Sequence, residues 1–156
     1  MTDTPPVRKT NGRLRTRIGL GVTFLGFLVY LLGAEPGLFR LDRSPTVGFV
    51  QIATFLVGLG IICLGGYLCL AALWNGGQKS IASDIGLRLV STGYVIAVAC
   101  GMADVFGFGT NVYPLVPVFG IYQQIGVMLG EGVIAIGMML LIPYKTPQPS
   151  IGELPK

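Results

Sequence analysis

Four long apolar blocks, separated by short polar or Pro- and Gly-rich connectors, organise the chain. They run over residues 18–34, 46–74, 85–106 and 119–143. Inside each block the apolar residues are nearly continuous. A half-buried strand would alternate them every second position, and a soluble amphipathic helix would intersperse them with charge. Blocks of this length and kind predict helices that cross a bilayer. The expected fold class is all-α, an integral membrane four-helix bundle. At about 1.5 Å per residue the second block would reach about 43 Å, against a hydrocarbon core of about 30 Å. A strong tilt, or projection at one end, is therefore expected of it, with Gly65-Gly66 as a bend point.

The connectors carry stop and start signals. Residues 1–17 form a basic, polar arm with Pro5 and Pro6, expected to become helical only near the membrane. A basic start before an apolar run also resembles a signal peptide. However, the run is longer than a typical h-region, and Leu32-Gly33-Ala34 is a poor cleavage site, so an uncleaved first helix is expected. Residues 35–45 hold two prolines and four charges. Asn75-Gly76-Gly77 ends the second helix, and Ser83 or Asp84 is expected to cap the third. The tail, 144–156, holds Pro147, Pro149 and Pro155 and has no apolar face.

Composition strengthens the membrane reading. Charged residues make up 12% of the 156 and hydrophobic ones 52%. A soluble domain devotes about a quarter of its residues to charge, so this chain could not cover its apolar surface with polar groups in water. The net charge of +4 is concentrated near span ends. Arg8, Lys9, Arg13, Arg15, Arg17, Lys79, Arg88, Lys145 and Lys156 fall on one side, and Arg40 and Arg43 on the other. That bias predicts cytoplasmic N and C termini, in a plasma (inner) membrane, with Trp74 and Tyr144 at the inner headgroup level. The basic arm is then an orientation signal facing anionic lipid, and no nucleic-acid partner is expected.

Histidine is absent, which removes His-based metal sites and His acid–base catalysis. Cys63, Cys69 and Cys100 lie inside apolar blocks without C-x-x-C spacing and read as packing residues. No nucleophile elbow, phosphate loop or metal-ligand cluster is present. No metal, cofactor or enzymatic activity is expected.

Glycine, at 24 residues, is about twice its usual share, and in the spans it is patterned. Gly19, Gly26 and Gly33 recur every seven residues in the first block. Gly93, Ala97 and Gly101 recur every four in the third, with Gly86 nearby, and Gly126, Gly130 and Gly137 mark the fourth. Small residues let membrane helices approach closely. They serve either packing within the bundle or docking of a partner helix or second copy.

Glu131 sits near the centre of the fourth block. A carboxylate at that depth is costly and faces protein or water. Gln124, seven residues earlier, shares its face, while Gly126 lies about 140° away around the wheel. The fourth helix should therefore be contacted on two sides. Arg88 is too near the membrane surface to pair easily with Glu131, and Asp104 has the wrong sign. Tyr94, Thr92 and Tyr67 are the neutral candidates, and the protonated, hydrogen-bonded carboxyl is favoured. Two functions follow as expectations. One is a non-catalytic accessory or scaffold subunit of a membrane complex, or a homo-oligomer, held by glycine faces. The other is a small oligomeric proton-coupled or cation transporter using Glu131.

Overall fold

The computed structural model describes residues 12–39, 48–74, 80–108 and 119–143. Among these residues the structure is all helical. Helices α1 (Gly12–Ala34), α2 (Phe49–Leu73), α3 (Ile81–Gly101) and α4 (Ile121–Leu140) follow in order, with one short 3₁₀ turn, Pro36–Phe39. All four helices are long and apolar enough to cross a membrane. Expectations placed on residues 1–11, 40–47, 75–79, 109–118 and 144–156 lie outside the described residues. They include those for Arg40, Arg43, Lys79 and Tyr144.

The helix ends differ from the apolar blocks for local reasons. α1 begins six residues before the apolar block, at Gly12. Arg-Leu-Arg-Thr-Arg contains good helix formers and no breaker, and the Thr16 hydroxyl donates to the Gly12 carbonyl at 2.9 Å. α3 begins at Ile81, capped by Ser80 rather than by Ser83 or Asp84: the Ser80 hydroxyl accepts from the Ser83 N–H at 3.2 Å. α2 starts only after Gly48, in an extended conformation, and ends at Leu73. Its 25 residues rise about 37 Å, which reduces the overhang, and the helix continues unbroken through Gly65-Gly66.

α1 with α2, and α3 with α4, each close into an antiparallel hairpin, and packing is concentrated inside these two hairpins. Glycine makes this possible. A Cβ on Gly93 would stand 2.6 Å from the Gly130 carbonyl oxygen, and one on Gly26 would stand 2.7 Å from the Ile62 nitrogen. The obstructing atoms are backbone, which cannot swing aside. In lipid, where no hydrophobic effect joins helices, such close approach supplies the dispersion contacts that do. The seven-residue spacing keeps small residues on the seam along the length of the helices.

The hairpins repeat one another. Ile18-Gly19-Leu20 in α1 matches Ile85-Gly86-Leu87 in α3, and Gly26 matches Gly93. In α2 and α4, Gly48 matches Gly120, Gln51 matches Gln123, Gly58 and Gly60 match Gly130 and Gly132, and Gly65 matches Gly137. The contacts match as well. Gly26 meets Ile62 as Gly93 meets Ile134, Gly58 meets Tyr30 as Gly130 meets Ala97, and Gly65 meets Thr23 as Gly137 meets Val90.

Between hairpins the two flanks differ. α2 packs against α3, whereas α1 and α4 stay apart over most of their length. On the α2–α3 flank, Gly101 rests beside Leu56 and Ile52, and Tyr94 lies over Gly60. The Tyr94 hydroxyl also donates to the Leu56 carbonyl at 3.3 Å. Leu59 and Ala97 belong to the common core, with Ala97 fully enclosed at 0% exposure. At the end of the bundle that holds the start of α1, the Trp74 indole N–H donates to the Leu141 carbonyl at 3.0 Å. That bond fastens the end of α2 to the end of α4.

Candidate functional site

The open flank between α1 and α4 holds a cavity of about 330 Å³. Tyr30, Gly33 and Ala34 come to it from α1, Gln51, Ile52 and Phe55 from α2, and Gln124, Val127, Met128 and Glu131 from α4. Phe119, just before α4, completes the lining. The cavity runs from the middle of α4 towards the bundle end opposite the start of α1. It is mostly apolar, with two carboxamides and one carboxyl, and no cationic side chain among the described residues lines it. This is the make-up of a small-molecule site, in which apolar walls surround a few polar groups that fix orientation.

Glu131 is held from across the flank. The Tyr30 hydroxyl donates to Glu131 Oε1 at 3.0 Å, joining the first helix to the last. The Tyr30 ring is supported by Phe55, with centroids 4.8 Å apart and planes at 49°. The Tyr30 backbone is packed against the seam glycine Gly58, and its ring rests on an aromatic neighbour.

The residues singled out from sequence separate into groups. Glu131 and Gln124 line the same cavity. Tyr94 does not join them, since its hydroxyl serves the closed α2–α3 flank. Thr92 is exposed and Tyr67 packs beside the core, so neither lines the cavity. Gln124 also makes a weak 3.4 Å bond from Nε2 to the Phe119 carbonyl, and Gln123 Oε1 accepts from the Gly120 N–H at 2.7 Å. Both glutamines thereby help satisfy the start of α4. Gly93, Ala97, Gly130 and Gly137 form the α3–α4 seam, Gly126 faces Cys100, and Gly101 turns to α2 instead. The expected contact of α4 on two sides is met inside the chain, with α3 on the glycine side and Tyr30 of α1 on the carboxyl side.

Sequence reasoning passed over Tyr30 and Gln51. The internal repeat is the signal that would have found Tyr30; Gln51 matches Gln123 in the repeat and is brought to the cavity by the fold alone. Tyr30 occupies the position of Ala97, Glu131 that of Leu59, Met128 that of Leu56, Gln124 that of Ile52, and Ala34 that of Gly101. All five lie on the open cavity, while Ala97, Leu59, Leu56 and Gly101 lie on the closed flank and Ile52 reaches both. The cavity therefore sits where the second flank departs from the first. The fold class is an all-helical chain with four spans of membrane-crossing length. Comparison with protein-family models, curated proteins and solved structures finds no match to the chain.

Proposed function

We propose that the chain is a small multi-pass protein of the plasma (inner) membrane that binds a lipophilic organic cation in the Glu131 cavity. Cation binding or proton exchange at this carboxyl would serve transport. The observation that carries this reading is the placement of a mid-span carboxyl on an open cavity at the one flank where the repeats diverge. Its only described hydrogen-bond donor is the neutral Tyr30 hydroxyl, so a cation or a proton can occupy Glu131 without displacing a fixed positive charge. Phe55, Phe119 and Tyr30 line the cavity, and the face of an aromatic ring attracts such a cation. Arg13, Arg15, Arg17 and Arg88 at one end of the bundle support cytoplasmic termini, and no catalytic residue is assigned.

Tetraphenylphosphonium binding to the detergent-solubilised chain tests the reading. Wild type should bind saturably, and Glu131→Gln should weaken binding by roughly tenfold or more, the loss of one charge-assisted contact. Equal binding by wild type and Glu131→Gln would remove the proposal.

A second reading, a non-catalytic accessory subunit, has one observation in its favour. The outer face of α4, with Ile125, Leu129 and Ile136, is uncovered, and a Cβ on Gly132 would meet nothing within 4 Å. That leaves room for a partner helix. Native mass spectrometry from mild detergent separates the two, since a chain free of any protein partner excludes the subunit reading.

A further inference from the structure

A second cavity, of about 500 Å³, lies at the basic end of the bundle. It is lined by Gly12, Arg13, Thr16, Arg17 and Leu20 of α1 and by Ala72 and Leu73 at the end of α2. Arg13 and Arg17 are one helical turn apart and share a face. Arg15, between them, does not line the cavity. No acidic side chain among the described residues lines it either, so none of these neutralises the two guanidiniums from within. Leu20 and Leu73 continue the cavity into the span as an apolar wall, and Trp74 marks an interfacial depth beside it.

The repeat supplies an internal control. At the start of the second hairpin the positions matching Arg13 and Arg17 are Ser80, the cap of α3, and Asp84 in its first turn. The second hairpin thus keeps the glycine seam but replaces the cation pair with a neutral cap and an acid. The pair is a departure specific to the first hairpin, as Tyr30 and Glu131 are departures on the open flank.

We infer that this cavity seats the headgroup of an anionic phospholipid. The Arg13 and Arg17 guanidiniums donate to the phosphate oxygens, and one acyl chain lies along Leu20 and Leu73. Planar guanidinium forks match phosphate geometry and stay charged at any physiological pH. Attraction of this kind beside a membrane is a few-fold per basic residue, so the pair together gives a selectivity on the order of thirtyfold.

The test is lipid retention by the full chain, read by native mass spectrometry after incubation with phosphatidylglycerol or phosphatidylcholine. Wild type should retain phosphatidylglycerol preferentially. Arg13→Gln with Arg17→Gln should lose that preference by roughly thirtyfold. Arg15→Gln with Arg88→Gln removes the same charge away from the cavity and should stay near wild type. Arg13→Lys with Arg17→Lys keeps the charge and should retain most of the preference, which covers the case in which the glutamine pair fails to accumulate. Equal losses in the two glutamine pairs would overturn the site in favour of diffuse attraction. Loss of preference in the lysine pair equal to that in the Arg13/Arg17 glutamine pair would also overturn it. So would displacement of the lipid by millimolar inorganic phosphate, which would make the ligand a free anion.

Discussion

Alanine at Gly130 and alanine at Gly132 should have opposite consequences, although the two positions lie on the same helix two residues apart. On Gly130 the added Cβ would stand 2.6 Å from the Gly93 carbonyl oxygen and 2.8 Å from the Ala97 nitrogen. Ordinary contact begins near 3.4 Å, so the hairpin must part by about 0.8 Å at that level. Both obstructing atoms are backbone and belong to a seam that also includes Gly86 and Gly137. Overpacking of a tight interface costs about 1–3 kcal/mol. On Gly132 the same methyl meets nothing within 4 Å. The intrinsic helix gain of Gly→Ala, about 1 kcal/mol, is common to both and cancels in the comparison. Gly130→Ala should therefore be less stable than Gly132→Ala by about 1–3 kcal/mol, roughly 5- to 150-fold in the unfolding equilibrium. Reversible unfolding in mixed micelles, followed by helical circular dichroism while SDS is raised, measures the difference. Coincident transitions, or a less stable Gly132→Ala, would refute the close-packed seam.

Two further outcomes follow from single bonds. Tyr30→Phe removes the donor to Glu131 but keeps the ring against Phe55, so stability in the same assay should fall by only about 0.5–2 kcal/mol, with cation binding retained in part. A loss as large as that of Glu131→Gln in tetraphenylphosphonium binding would mean that the phenol, not the carboxyl, holds the ligand. Trp74→Phe deletes the indole N–H that reaches the Leu141 carbonyl and should cost about 1 kcal/mol. Amide exchange near residues 139–142 should rise with it, and unchanged protection there would argue against the tie between α2 and α4.

The four helices were legible because the blocks 18–34, 46–74, 85–106 and 119–143 each hold the continuous apolar length that a membrane crossing requires. Their ends were less so, because ends are decided by single hydrogen bonds. Ser80 is as good a cap as Ser83 and lies where the backbone can turn, so α3 starts earlier than the apolar pattern suggests. The glycine stripes announced close packing without naming the partner. Gly93 and Gly101 belong to one four-residue series, yet one meets α4 and the other α2, because a four-residue step drifts around a 3.6-residue helix. Glu131 stood out by depth alone. Tyr30 did not, because an apolar-bodied tyrosine in a span is unremarkable until the placement of the two hairpins brings it to the carboxyl.

The duplicated hairpin turns the Tyr30–Glu131 pair into a test of its own origin. Ala97 and Leu59 occupy the matching positions on the closed flank, where both sit in the apolar core. A carboxyl at Leu59 would be costly in that apolar core, whereas Tyr30 supplies Glu131 with a donor and, being larger than alanine, would keep α1 farther from α4. Tyr30→Ala combined with Glu131→Leu restores to the open flank the pair that closes the other. Replacing a buried polar pair by apolar residues is often neutral or stabilising, so the double variant should fold at least as well as wild type. It should also draw α1 and α4 together and eliminate the cavity. Thiol cross-linking reports this in a chain from which Cys63, Cys69 and Cys100 have been removed. Leu56→Cys with Gly101→Cys, neighbours on the closed flank, should react quickly with a short bifunctional reagent. Met128→Cys with Ala34→Cys, their counterparts across the cavity, should react slowly in the parent and approach the closed-flank rate in the double variant. If the Met128–Ala34 rate stays unchanged, the tyrosine and the carboxyl are not what keeps this flank open, and the cavity must be sustained by the packing of Phe55 and Phe119 instead.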